Sequence, residues 1–349
     1  MRNNMKRRWL LIGALVVVAV LAGGGILAAC GGTETTTTAA QASSTTAPAK
    51  KLRVGVAYHS SASSFNVVDR DAKAAEAAKL GIEIVQADAS EDANKQAQQI
   101  ADLVASGIDG LIIQTVDAKA GAAAIKELGD IGIPIITGDR FADMTYGGPD
   151  GANPKVHVGW SDFDRGKSIG DLIVSAAGGQ AANVVLEEGV AGSAPQIEMD
   201  RGIKEVLSAY PAIKIIDTQY NDFDPSKAIT VTENLLAAHP DIDILATQDD
   251  NTAAAAANAV KDAGRLDKIK VIGSFGSKAG TAAVESGLMY GTSMLSPSKY
   301  GTLAIDTIYA LMTGGPLPEQ IVTMDGRPTV PMSMIAVTKD NVAQYPGEW

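Results

Sequence analysis

From Leu52 onward the chain alternates short apolar runs with Ala-rich segments of helical period. The runs LRVGVAY (52–58), IEIVQAD (82–88), DGLIIQT (109–115) and IPIITGD (133–139) read as strands. Between them, 66–80, 91–106 and 118–130 read as helices. The rhythm then resumes. KVHVGW (155–160) leads to a helix over 163–177, ANVVLEEG (182–189) to 196–209, and IKIIDTQ (213–219) to 225–238. DIDILATQDD (241–250) leads to 252–263, KIKVIGS (268–274) to 278–286, and GTSMLSP (291–297) to 299–313. Strands that are apolar at consecutive positions are buried on both faces. The pattern therefore predicts parallel α/β sheets with helices on both sides.

The two halves also match locally. GIDGLIIQ (107–114) and DIDILATQ (241–248) align at an offset of 134 residues, which places Asp109, Leu111 and Gln114 on Asp243, Leu245 and Gln248. Each segment leads into an Ala-rich helix. Together with the repeated strand–helix rhythm, this predicts two similar doubly wound α/β domains.

The first fifty residues follow other rules. Arg2, Lys6, Arg7 and Arg8 precede an apolar run from Trp9 to Ala29, the order of charge and apolar residues in an export signal. The run ends in Leu27-Ala28-Ala29-Cys30, which resembles the bacterial lipoprotein box, so residues 1–29 are expected to be a signal peptide and Cys30 the lipid-modified first residue of the mature chain. Residues 30–50, rich in Thr, Ala and Ser, are too poor in apolar surface to fold and read as a flexible tether.

Composition narrows the function. The chain has 349 residues, 46% of them hydrophobic, enough for two domains of ordinary size. Cys30 is the sole cysteine, so no internal disulfide is available. One cysteine and three scattered histidines (His59, His157, His239) make no common zinc site, and neither a metal nor a cofactor is expected. The net charge of −11 becomes −15 without residues 1–29, at 25 basic against 40 acidic residues, which argues against nucleic acid. SDFDRGKS (161–168) ends like a phosphate loop, but Ser161 stands where the first Gly is required. No G-x-S-x-G or H-E-x-x-H motif is present, so an enzyme is not expected.

In open α/β sheets ligands bind beyond the carboxyl ends of the strands. There the sequence carries HSSASSFN (59–66), QTVD (114–117), GDR (138–140), EEGVAGS (187–193), YNDFD (220–224), QDDN (248–251), SFGS (274–277) and LSPS (295–298). Hydroxyls, amides, carboxylates and aromatic rings in such places suit a hydroxylated ligand with an apolar face. Asp139-Arg140 is the sharpest pair, because a carboxylate accepts from adjacent hydroxyls and a guanidinium offers a fork of donors. An ion pair at a strand end is the alternative for the same two residues.

Several longer stretches carry a family resemblance: ASEDANKQAQQIADLVASGIDGLIIQTVD (89–117), IGIPIITGDR (131–140), YPAIKIIDTQYNDFDPSKAITVTENLLAAHPDIDILATQDD (210–250) and VTKDNVAQY (337–345). With these the chain, from about Leu52 to Tyr345, resembles the sugar-binding proteins of bacterial ABC importers, of the ribose- and galactose-binding type. The resemblance implies the type I periplasmic binding protein fold, in which two lobes joined by three hinge crossings close over a ligand. It places the crossings near Trp160, Leu295 and Met324. The first lobe would be 52–160 plus 296–324, and the second 161–295 plus 325–349. It makes Asp139 and Arg140 the pair that bonds sugar hydroxyls and Phe65 and Phe223 facing rings. The loop residue Asn66, the hinge residue Trp160, and Asp249 and Phe275 complete the implied ligand set.

The sequence departs from the family pattern at several positions. Ser63-Ser64-Phe65-Asn66 replaces Asn-Pro-Phe-Phe, and Phe275 stands where an Asp normally binds hydroxyls. Ile197 or Met199 falls where an Arg grips the sugar, with Arg201 a later candidate, and Leu295 takes the place of a hinge Gln. Exchanging polar for apolar groups suits a ligand with fewer hydroxyls or an apolar substituent, and the expected ligand is a modified sugar, a deoxysugar, a polyol or a similar small molecule rather than ribose. The implied partners are an ABC permease and its ATPase, with the membrane reached through the N-terminal lipid. The protein is expected to be an extracytoplasmic monomer. The same module could instead present its ligand to a chemoreceptor or sensor kinase. A repressor effector domain would need a basic helix-turn-helix where the export signal stands.

Overall fold

A computed structural model of the chain describes residues 51–147 and 153–349. The expected signal peptide and tether, with Cys30, lie outside the described residues. The first sheet is built from β1 (Arg53–Tyr58), β2 (Glu83–Asp88), β3 (Gly110–Ile113), β4 (Ile135–Gly138) and β5 (Val156–Gly159), with α1 (Ser64–Lys79), α2 (Ala93–Ala105) and α3 (Ala118–Glu127) between them. The second contains β6 (Ala182–Glu188), β7 (Ile213–Tyr220), β8 (Ile244–Thr247), β9 (Lys270–Phe275) and β10 (Gly291–Met294). These alternate with α4 (Asp162–Ala177), α5 (Ala194–Leu207), α6 (Pro225–Ala238), α7 (Asp250–Asp262) and α8 (Lys278–Ser286). The chain then returns through α9 (Pro297–Thr313), β11 (Val322–Met324) and β12 (Arg327–Pro331) to the first sheet, and ends on β13 (Ile335–Thr338) in the second.

The strand orders are β11-β12-β5-β4-β3-β1-β2 and β13-β10-β9-β8-β6-β7. All pairings are parallel except those of β11 with β12 and of β13 with β10. These are the two similar doubly wound lobes that the sequence pattern predicts. Strand alternation assigns the two faces of each sheet. Val54, Val56 and Tyr58 join the cluster under α9, whereas Ala57 joins Ile100, Leu111 and Ile125 on the opposite face. In the second lobe Val185 and Leu245 face α7, and Val184, Leu186 and Ile244 face α4 and α5.

The internal repeat has a structural counterpart. An Asp109 carboxylate oxygen accepts from the Arg53 N–H at the start of β1 (2.9 Å), and Asp243 does the same for Asn183 near the start of β6 (2.8 Å). Each Asp thus ties the approach to one inner strand onto its neighbour, and the two lobes repeat the device.

Two details differ from the sequence reading. The helix expected from residue 91 begins at Ala93, because Ser90 and Glu91 both take positive φ (54° and 61°) and Asp92 caps the helix. The third crossing also falls later than Met324. Asp325 and Gly326, both at positive φ, turn β11 into β12, and β12 pairs with β5. Residues 325–331 therefore belong to the first lobe, and the chain crosses at 332–334. Arg327 and Pro328 give β12 a weak strand signature, since Pro donates nothing to a ladder. The three crossings lie side by side: the Met332 N–H donates to the Gly159 carbonyl (2.7 Å), which joins the third to the first, and Met294 pairs with Ile335, which joins the second to the third.

Candidate ligand-binding cleft

The carboxyl ends of the strands of both sheets meet two adjoining cavities. One, of about 270 Å3, is lined by His59, Ser63, Phe65, Asn66, Asp139, Arg140 and Trp160. The other, of about 390 Å3, is lined by Arg165, Pro195, Met199, Phe223, Asp249, Asp250 and Asn251. Phe275 and Trp349 line both. All eight ligand residues expected from the sequence therefore surround one cleft, six around the first cavity and Phe223, Asp249 and Phe275 around the second.

Backbone geometry aims these side chains. Asp139 sits just past β4 at φ 58°, Phe223 past β7 at 58° and Phe275 at the end of β9 at 100°. Positive φ is costly for residues with a Cβ, and such strain gathers at functional sites. The Phe223 ring packs where a side chain on Gly189 would stand, since a Cβ there would lie 2.0 Å from it.

His59 organises the first cavity. Its Nδ1 lies 2.7 Å from Glu91 Oε1 and its Nε2 lies 3.3 Å from Asp139 Oδ2. Burial of the ring works against its charge, but the hydrogen bonds of Asp139 and Glu91 outweigh that and raise its pKa. Asn66 is buried, and its Nδ2 donates to the Ser60 carbonyl (2.6 Å) and lies 3.2 Å from His59 Nε2. Asn66 thus shapes the loop and orients His59. Arg140 pairs with Glu91 Oε2 at 3.1 Å, with its guanidinium largely exposed. Asp139 and Arg140 are therefore bridged through Glu91 and His59, which leaves Asp139 facing the cavity.

In the second cavity the cation is Arg165, which sequence reasoning did not select. It lies on the first turn of α4, just past the first crossing, and its guanidinium stacks 4.0 Å above the Phe275 ring. Arg165 donates to Asp162 Oδ1 (2.8 Å) and to the Gln248 carbonyl (3.1 Å). Arg201, the later candidate, instead pairs with Glu198 and covers Phe163, away from the lining. The sequence signal was available: an Arg four residues after the Ser161 cap faces back toward the crossing. The Asp249 carboxylate accepts from the Asn251 and Thr252 N–H groups as the cap of α7, so its helix-capping duty accounts for much of its hydrogen bonding. Met199 is buried against the cavity, Ile197 is exposed, and Leu295 lies in the first lobe's core.

An aromatic file crosses the base of the cleft. Trp160 and Tyr300 lie 5.8 Å apart, Trp160 and Phe65 6.0 Å, Phe65 and Trp349 5.9 Å, and Trp349 and Phe275 5.7 Å, all near edge-to-face. His59 and Trp349 joined no predicted site, although HSSASSFN was among the strand-end loops. Among the described residues, no group of three or more metal-ligating side chains is gathered.

Two lobes with three crossings, and polar strand ends facing a shared cleft, are the architecture of a solute-binding module. The sequence profile of the periplasmic binding protein domain matches residues 54–316, and the chain belongs to this family. Its relatives include the ribose import binding protein of Escherichia coli, 30% identical over 250 residues that cover 72% of this chain and 81% of that protein. Also similar is the xylitol-binding protein of Mycolicibacterium smegmatis, 28% identical over 292 residues, covering 83% and 78%. Among solved structures, an ABC transporter solute-binding protein from Mycobacterium smegmatis with bound glycerol is 28% identical, with a TM-score of 0.64 over 85% of this chain and 98% of that one. This chain is thus of the sugar-binding, ABC-importer kind within the family.

Proposed function

We propose that the protein is an extracytoplasmic receptor that captures a compact polyol, deoxysugar or modified sugar between its lobes and delivers it to an ABC permease and ATPase. The observation that carries the reading is the composition of the cleft. Asp139 presents a carboxylate to ligand hydroxyls, and Phe65, Trp160, Phe275 and Phe223 present rings. Rings pack on C–H faces, and the replacement of polar groups by Phe275, Met199 and Leu295 leaves fewer partners for a fully hydroxylated ring. The relatives named for xylitol and found with glycerol favour the same ligand class.

The proposal has no catalytic step. Ligand contacts to both lobes favour the closed form by their differential affinity, and the permease reads that form. Cys30, lipidated, would hold the receptor at the membrane as a monomer. Isothermal titration calorimetry of Asp139→Ala against the best ligand of the wild-type protein tests the site. Affinity should fall at least ~30-fold, as expected when a charged hydrogen-bond partner is removed. Unchanged affinity would make Asp139 structural and remove the basis of the reading.

A further inference from the structure

Residues 347–349 lie across the second crossing and are held by both lobes. The Gly347 N–H donates to Thr281 Oγ1 (3.0 Å), and the Lys278 N–H donates to the Trp349 carbonyl (2.8 Å), which fixes the segment on the start of α8 in the second lobe. A side chain on Gly347 would lie 2.5 Å from the Lys278 backbone, so the segment is pressed flat against that helix. Between these two, the Glu348 carboxylate accepts from Ser296 Oγ (2.7 Å), the Ser298 N–H (2.9 Å) and Ser298 Oγ (2.8 Å) at the start of α9 in the first lobe. A carboxylate there is favoured by the helix dipole as well. With two backbone bonds on one lobe and a carboxylate anchored on the other, the indole is placed rather than loose.

It is placed inside the cleft. Trp349 and Phe275 are the two residues that line both cavities, and among the described residues Trp349 alone makes ring contacts with both Phe65 and Phe275, which come from opposite lobes. Its Nε1–H is buried and finds no acceptor among the described residues. A buried indole N–H ordinarily has a partner, and one left without is a donor still to be satisfied.

We propose that Trp349 is a ligand-contact and specificity-determining residue: its ring divides the cleft and limits ligand size, and its Nε1–H bonds a ligand hydroxyl. The inference rests on the sugar or polyol reading above and deepens it. A donor on a flat ring replaces part of the hydrogen bonding lost where Phe275 stands. A fixed partition also selects compact ligands over ones that would span both cavities.

Calorimetry on the full chain with xylitol, D-ribose, myo-inositol, D-glucose and maltose tests this, comparing wild type, Trp349→Phe, Trp349→Ala and Asp139→Asn. Trp349→Phe keeps a ring and removes the donor, and should weaken the best compact ligand by about 3- to 10-fold. Trp349→Ala should weaken it by ~10-fold or more and move the ranking toward glucose or maltose. A Trp349→Ala protein with the wild-type affinities and ranking, alongside an Asp139→Asn protein that has lost binding, overturns the role of Trp349 and leaves the sugar reading standing. If Trp349→Ala does not fold, an unchanged affinity in Trp349→Phe overturns the donor role. A wild-type protein that binds none of the five, and no deoxysugar or modified sugar added to the panel, overturns the sugar reading and this proposal with it.

Discussion

Asp139 shows how much one residue is asked to do. It ends a strand, adopts a left-handed backbone and holds a carboxylate at the cleft against His59. Asn tolerates that backbone better than most residues, so Asp139→Asn separates charge from conformation. Its melting temperature should stay close to wild type while ligand affinity falls at least ~10-fold in calorimetry; a protein that melts far earlier would assign the residue to stability. A second residue, Glu187, carries a pH signal. Burial pushes its carboxyl up to about 7, against the opposing hydrogen bonds of Thr232 and Asn221. The fold therefore favours the protonated form. Glu187's contribution to stability is full below its ordinary pKa and is lost as pH rises through 7. Thermal melts should show Glu187→Gln as more stable than wild type by roughly a few degrees at pH 8, with the gap closing by pH 4.5. An identical pH dependence in both proteins would contradict this assignment.

Among the elements, α1 carries the largest electrostatic commitment. Asp69 and Lys73, one turn apart, form an ion pair with both side chains fully buried. Gln114 donates to Asp69 (2.9 Å), and the Lys73 ammonium lies 4.6 Å from the Tyr300 ring centroid. Removing one charge strands the other, whereas removing both does not. Lys73→Met should cost about 3–5 kcal/mol in denaturant unfolding, and Asp69→Leu/Lys73→Met should recover most of it; a double variant no more stable than the single would show that the pair itself supports the lobe. The packing of α4 on α5 is a second case. A Cβ on Gly166 would lie 2.0 Å from the Met199 carbonyl oxygen, and one on Gly202 2.1 Å from that of Phe163, so the helices meet backbone to backbone. Gly166→Ala should destabilise by ~2 kcal/mol or more through overpacking, despite alanine's better helix propensity. A stabilised Gly166→Ala would show that the helices can separate at little cost.

At the scale of the whole molecule, legibility follows physics. The central strands could be read because parallel strands buried on both faces are continuously apolar, and strand ends could be read because ligands gather there. Asp139, expected from its strand end, and Phe65 and Phe223, expected from the family resemblance, all line the cleft. Arg165 was missed because it lies on a helix turn behind a crossing rather than on a strand end. Trp349 was missed because only the fold brings it more than seventy residues back to Phe275. The third crossing was misplaced because the edge strand β11 has three residues and its neighbour β12 carries Pro328 and Pro331. The assembled molecule adds what no local pattern shows, an aromatic file tying Tyr300 of one lobe to Phe275 of the other through Trp349.

The central claim is that this cleft holds a compact polyol, deoxysugar or modified sugar. A thermal-shift screen of the purified protein against pentoses, hexoses, deoxysugars and polyols tests it most directly, because a ligand that binds the folded state raises the melting temperature by mass action. A polyol, deoxysugar or modified sugar should give the largest stabilisation, and Asp139→Asn should reduce it. Ribose giving the largest shift, or no carbohydrate or polyol giving any, would contradict the account.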